Sequence, residues 1–299
     1  MKTNQNIIVK SLLLFSLLAL CSCSEEFDVT PERSEFSKLD LQFDGLPNLG
    51  YSYVYEGWII VDGKSYSTGI FKIDEDGKAS KNLFLVDAER LNAATSFVLT
   101  IEPQPDNDPS ASQTHIIGGS FSGNVANLSI DHSSAFNTDF LSSEGTFILA
   151  TPTNGDGKDE NSGIWWLNPA GPNPSLSIPS LTSGWKYEGW VVIDNIPVST
   201  GTFTKVMEQD DHNRYGANLA SPPFPGEDFL FNPPNGLVFP LDLSGSTAVI
   251  SIEPDPDNST APFLLKPLIG SIPNGATDHI SYPMGNNMHN TMITGVASK

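Results

Sequence analysis

The chain has 299 residues with 35 acidic and 15 basic side chains, for a net charge of −20. That balance argues against nucleic acid as a partner, because phosphate binding needs a basic stripe. It equally argues against peripheral adhesion to anionic lipid, which wants Lys/Arg clusters.

From the N-terminus, Lys2 and Lys10 precede an uninterrupted run, SLLLFSLLAL (Ser11 to Leu20), the length of a secretory h-region and too short to span a bilayer. The next residues, LCSC (Leu20 to Cys23), place Leu at −3 and Ser at −1 relative to Cys23 and resemble the lipobox of lipoprotein signal peptidase. Residues 1–22 are therefore expected to be a lipoprotein signal peptide, with Cys23 the lipidated residue. An ordinary signal peptide with two incidental cysteines is the alternative. If Cys23 is lipidated, Cys21 leaves with the signal, and no thiol remains for a disulfide, a metal or a nucleophile. Acyl chains contribute about 0.8 kcal/mol per buried CH₂, so the protein is tethered to a membrane without spanning it. SEEFD (Ser24 to Asp28) resembles the export signal of surface-exposed lipoproteins in Bacteroidetes-type bacteria, and reads equally well as part of a solvated acidic linker over 23–36. The processed chain keeps 13 basic and 35 acidic residues, a net charge of −22.

The next feature is written twice. YEGWIIVDGKSYSTGIF (Tyr55 to Phe71) returns as YEGWVVIDNIPVSTGTF (Tyr187 to Phe203), with nine of 17 positions identical and three more exchanging Ile with Val. At the same offset GLPNL (Gly45 to Leu49) faces SIPSL (Ser177 to Leu181), and IEPQPDN (Ile101 to Asn107) is echoed by IEPDPDN (Ile252 to Asn258). Three motifs in one order mean internal duplication. In YVYEGWIIV, alternation puts Tyr53, Tyr55, Ile59 and Val61 on one face and Val54, Trp58 and Ile60 on the other, so the strand is buried on both sides. Asp62-Gly63 is a hairpin turn signal, and Asp194-Asn195 takes its place in the second copy. SFVLTI (Ser96 to Ile101) and AVISI (Ala248 to Ile252) read as strands that Pro103 and Pro254 terminate. Helical pattern is limited to about one turn at Asp87 to Leu91. With 23 Pro and 25 Gly punctuating short strands, the class is all-β, two tandem Ig-like β-sandwiches over 37–140 and 141–299.

The order Leu-Pro-x-Leu, Tyr-Glu-x-Trp, Pro/Tyr-x-Ser-x-Gly-x-Phe and a strand ending in Leu/Ile-Glu-Pro resembles the extracytoplasmic C-terminal domain of the anti-sigma-K factor family. The likeness covers Leu46 to Pro103 and again Ile178 to Pro254. It implies an all-β sandwich outside the cytoplasmic membrane. Two departures stand out: Gly57 and Gly189 replace a large aliphatic residue, and Pro-Asp-Asn replaces a Gly-rich loop after Glu-Pro. The likeness does not extend to the family's sigma-binding domain or transmembrane helix, so no sigma factor is expected as a partner.

Candidate chemistry is sparse. Glu56 shares a strand face with Trp58, as Glu188 does with Trp190, and Glu102 and Glu253 each close another strand. Neighbouring strands would bring such carboxylates together, the raw material for acid/base chemistry or Ca²⁺. Their recurrence in both copies favours a structural, hydrogen-bonded role instead. PTNGDGKDEN (Pro152 to Asn161) lacks the carboxylates of a calcium loop at its first and last positions and is expected to be a hairpin loop. The five histidines show no ligand spacing, and no nucleophile or phosphate motif is present. No metal, cofactor or catalytic residue is therefore assigned.

The second copy departs from the first by a net insertion of 19 residues, since Phe71 to Ile101 spans 30 and Phe203 to Ile252 spans 49. Within it, about 207–236, aromatic residues alternate with prolines in an acidic context. Prolines stiffen a loop and aromatics supply contact area. Tyr215, Phe224, Phe229 and Phe231 are accordingly candidate binding residues for a glycan or an envelope protein. The alternative is a lid that packs back on the sandwich. The expected function is that of a non-enzymatic, lipid-anchored outer-membrane protein serving as a surface binding or spacer module. The alternatives are a periplasm-facing structural or sensory component and a hydrolase using carboxylates.

Overall fold

The computed structural model describes residues 35–299 other than 156, 172 and 258. The signal peptide, Cys23 and most of the acidic linker lie outside the described residues.

The first repeat supplies β1 (Phe36–Asp44), β2 (Tyr53–Val61), β3 (Lys64–Phe71), β4 (Leu83–Asp87), β5 (Ser96–Pro103), β6 (His115–Ser120) and β7 (Val125–Ser129). A single helical turn and a half, α1 (Ala88–Ala93), follows β4, capped by the Asp87 carboxylate on the Arg90 amide. Then come β8 (Glu144–Leu149), β9 (Gly163–Trp165) and three two-residue strands, β10 (Leu167–Asn168), β11 (Asn173–Pro174) and β12 (Leu176–Ser177). The remainder is β13 (Trp185–Ile193), β14 (Ile196–Phe203), β15 (Gly226–Asp228), β16 (Thr247–Pro254), β17 (Leu268–Ser271), β18 (Tyr282–Asn286) and β19 (Thr294–Ser298). The class is all-β, with two large antiparallel sheets each built on one copy of the repeat.

The sheet orders are β3-β2-β5-β6-β7-β19-β1-β4 and β14-β13-β16-β17-β18-β8-β9-β15, the second with β12 beside β8. Position for position the orders match, with β2 answering to β13 and β5 to β16. The exception decides the architecture. The strand between β7 and β1 is β19, from the far end of the chain, while β8, which follows β7 in sequence, lies between β18 and β9. The second repeat has given its last strand to the first sheet. Of the strands in the span expected for the second domain, 141–299, β8 pairs within the second sheet whereas β19 completes the first. Lys299 fastens that end: its ammonium donates to the carbonyls of Leu91, Asn92 and Ala94 at 3.1, 3.2 and 3.0 Å, the orphan acceptors at the end of α1.

Local structure follows the turn chemistry. Asp62 and Gly63 have φ of 49° and 75°, and Asp194 and Asn195 of 49° and 66°, the left-handed pair of a type I′ hairpin. In both hairpins the register slips by one residue, between Gly57 and Trp58 and between Gly189 and Trp190, leaving Thr68 and Thr200 as bulges. Tyr55 and Ile59 enter the main core while Trp58 is buried on the opposite face, as alternation requires. One apolar cluster runs through both repeats, joined where the Phe136 and Trp185 rings meet at 4.7 Å. No helix among the described residues is long and apolar enough to cross a membrane.

Candidate functional site

The duplication is reproduced in side-chain detail on both faces of β2 and β13. Tyr55 donates its hydroxyl to the Pro47 carbonyl at 2.8 Å, and Tyr187 to that of Pro179 at 2.7 Å. The Trp58 indole donates to Thr100 Oγ1 at 2.9 Å, and that hydroxyl donates to Glu102. Trp190 donates to Ser251 Oγ at 2.8 Å, and Ser251 donates to Glu253. Ser67 donates to Glu56 and Ser199 to Glu188. These bonds bear out a hydrogen-bonded role for one oxygen of each carboxylate.

The second oxygens set the two copies apart. In β13 and β16, Glu188 is registered opposite Ser251 and Lys186 opposite Glu253, so Glu188 and Glu253 are diagonal neighbours on one face. Asp257, in the loop after β16, joins them. One carboxylate oxygen from each of Glu188, Glu253 and Asp257 lies within 4.8 Å of the other two. The sequence reading did not single out Asp257, and the signal was available in the shared Glu-Pro-x-Pro-Asp spacing. Burial raises the Glu188 carboxyl well above the ordinary range, the Ser199 bond opposes this, and the charges of Glu253 and Asp257 add to it. Burial also raises Glu253, against the pull of Ser251 and the Phe263 amide. The corresponding Glu56, Glu102 and Asp106 of the first copy form no such group among the described residues, and Glu56 remains half-buried.

The inserted segment, present in the second copy alone, forms one wall of a cleft beside β13. Three carboxylates fasten it. Asp210 accepts from the amides of Gly226 at 2.9 Å and His212 at 3.3 Å. Glu227 accepts from the Arg214 amide at 2.8 Å. Asp228 accepts from the Thr153 amide and the Trp165 indole, both at 2.8 Å, which pins β15 against β9. Burial pushes Asp210 up to about 8 and Glu227 to about 7, opposed in each case by these amide bonds.

The result is a cleft of about 490 Å³ lined by Lys186, Glu188, Trp190, Ser199, His212, Arg214, Tyr215 and Asp257 among others. Of the four aromatic candidates, Tyr215 lines this cleft, its ring held by Phe229 at 5.7 Å and Phe239 at 5.4 Å. Phe231 is 56% exposed. Phe229 is 0% and Phe224 4% exposed, so the assignment of these two as binding residues is corrected. They pack back on the fold as a lid does, burying apolar side chains of the loop alongside the hydrogen bonds that fasten it. Pro152 to Asn161 joins β8 to β9, an antiparallel pair, with Glu160 accepting from the Thr151 and Gly157 amides at 3.0 and 2.6 Å. Thr153 and Asn161 tie that loop to Asp228 and to the Ala276 carbonyl.

No protein-family model matches the chain, and no curated protein or solved structure matches it.

Proposed function

We propose that the protein is a non-enzymatic, lipid-anchored cell-envelope binding module, made of two β-domains similar to the extracytoplasmic domain of the anti-sigma-K family, and that the second repeat does the binding. The observation that carries this reading is the cleft under the insertion. It combines the Tyr215 ring, the donors Lys186, His212 and Arg214, and the acceptors Glu188 and Asp257 within one concave surface. Aromatic faces with convergent donors and acceptors suit a hydroxyl-rich ligand, so a glycan of the envelope is the expected class. Arg214 forms no ion pair among the described residues, which leaves its guanidinium for the ligand.

The test is retention of the full chain, purified in detergent, on immobilised envelope polysaccharide. Binding that Arg214→Ala and Tyr215→Ala each weaken supports the reading, and retention unaffected by either variant sinks it. Protease shaving of intact cells carrying a C-terminal tag, with Cys23→Ala as the anchoring control, separates a surface module from a periplasm-facing one.

A spacer role is favoured by a different observation. The crossing of β19 into the first sheet ties that sheet to the second repeat through ladders with β1 and β7. Pulling the repeats apart would require breaking strand ladders, so the pair is suited to holding a fixed distance.

A further inference from the structure

We propose a calcium site with Glu188, Glu253 and Asp257 as its protein carboxylate ligands, of which Glu188 and Asp257 line the cleft. Calcium binds oxygen at about 2.3–2.6 Å, so two ligands on opposite sides of one ion lie roughly 5 Å apart. The three carboxylate oxygens fall within 4.8 Å of one another, a separation that one ion spans.

A second observation points the same way. Oε2 of Glu188 and Oε2 of Glu253 meet no hydrogen-bond donor among the described residues, although the two side chains are 4% and 0% exposed. Their partners all use the other oxygen: Ser199 donates to Glu188 Oε1, while Ser251 and the Phe263 amide donate to Glu253 Oε1. Buried carboxylate oxygens left bare are costly, and a cation is the natural complement. Among the described residues no side-chain cation takes that place. Lys186 pairs with Asp211 and Asp255, and the nearby Lys266 ammonium donates to the Leu264 carbonyl at 3.4 Å.

The ligand chemistry selects the ion. All three donors are hard oxygens, with no imidazole or thiolate in the group. Two of them come from paired strands and one from a loop, an irregular set that calcium tolerates and the near-octahedral magnesium shell does not. Water from the cleft supplies the remaining positions. The first repeat, where Glu56, Glu102 and Asp106 do not gather, contributes no second site, so one ion per chain is expected.

The experiment is calorimetric titration of calcium chloride into the full chain in detergent after chelator treatment, with terbium luminescence sensitised by Trp190 as a second readout. The expected result is one ion bound per chain, a melting temperature that rises with calcium, and a weaker response to magnesium. Asp257→Asn, at the half-buried loop position, is expected to weaken binding roughly tenfold or more, whereas Glu56→Gln leaves it unchanged. Absence of heat, luminescence and thermal shift at millimolar calcium in the unmodified protein would overturn the proposal. So would binding that persists undiminished in the folded Asp257→Asn, Glu188→Gln double variant.

Discussion

The indole of Trp190 donates to Ser251 Oγ at 2.8 Å, and the same hydroxyl donates onward to Glu253, so one serine joins a buried ring to a buried carboxylate. The chain Trp58, Thr100, Glu102 repeats it in the first copy. Replacing the hydroxyl leaves a buried N–H and a buried carboxylate each one partner short. Ser251→Ala is therefore expected to lower stability by about 1–3 kcal/mol. Denaturant midpoints for Ser251→Ala and Thr100→Ala test this, and a loss no greater than that of an exposed Ser→Ala control would show that the relay contributes nothing.

Gly189 and Gly57 sit where the structure leaves no room for a side chain. A Cβ on Gly189 would lie 2.5 Å from the Trp166 ring and 2.4 Å from Thr200 Oγ1, and one on Gly57 would lie 2.8 Å from the Phe97 ring. The rings of Trp166 and Phe97 occupy the space that a side chain at the glycine would need. Gly189→Ala is expected to cost about 1–3 kcal/mol by overpacking. An unchanged melting temperature for this variant would contradict that assignment of space.

The pH dependence of stability is expected to run against the usual acid denaturation. Burial holds Asp210 at about 8 and Glu227 at about 7, above their ordinary values of 3.8 and 4.5. Raised folded-state values mean that the folded protein keeps protons which the unfolded chain releases. The contribution is complete below about pH 4 and is lost as pH rises through 7 to 8. The charges of Glu227 and Asp211 raise Asp210 further, and that of Asp228 raises Glu227. Unfolding followed in chelator between about pH 5 and pH 8.5 should show stability falling with pH, with a shallower slope in Asp210→Asn. A slope that is flat or rises over that interval rules this out.

Deleting Thr294 to Lys299 removes β19 and the three bonds of the Lys299 ammonium. The loss falls on the first repeat, more than 160 residues upstream in sequence, because β19 pairs with β1 and β7. Hydrogen exchange should show amides of β1 and β7 losing protection while β13 and β16 keep theirs. Uniform protection across both sheets in the truncated chain would refute the assigned closure.

Much of this architecture is legible one segment at a time. The sequence by itself determined the duplication, the all-β class, the hairpins at Asp62-Gly63 and Asp194-Asn195, and the two buried faces of the Tyr55 strand. It did so because turn dihedrals and the two-residue alternation of a strand are local properties, set by the residues that show them. The carboxylates could be nominated for the same reason, since Glu188 and Glu253 were each visible at fixed points of a repeated motif.

Only the tertiary structure decided which strand lies beside which. Nothing local in Thr294 to Ser298 distinguishes a partner in the second sheet from one in the first, because the two repeats offer nearly the same edge. Pairing is a non-local choice, made by the connection lengths and by the packing of the whole core. The same holds for the insertion: Phe224, Phe229 and Phe231 look alike in a Pro-rich loop, and the fastening of Asp210, Glu227 and Asp228 buries the first two and leaves the third in solvent. Convergence of Glu188, Glu253 and Asp257 was decided there too, since it depends on the pairing of β13 with β16 and on the course of the loop after β16.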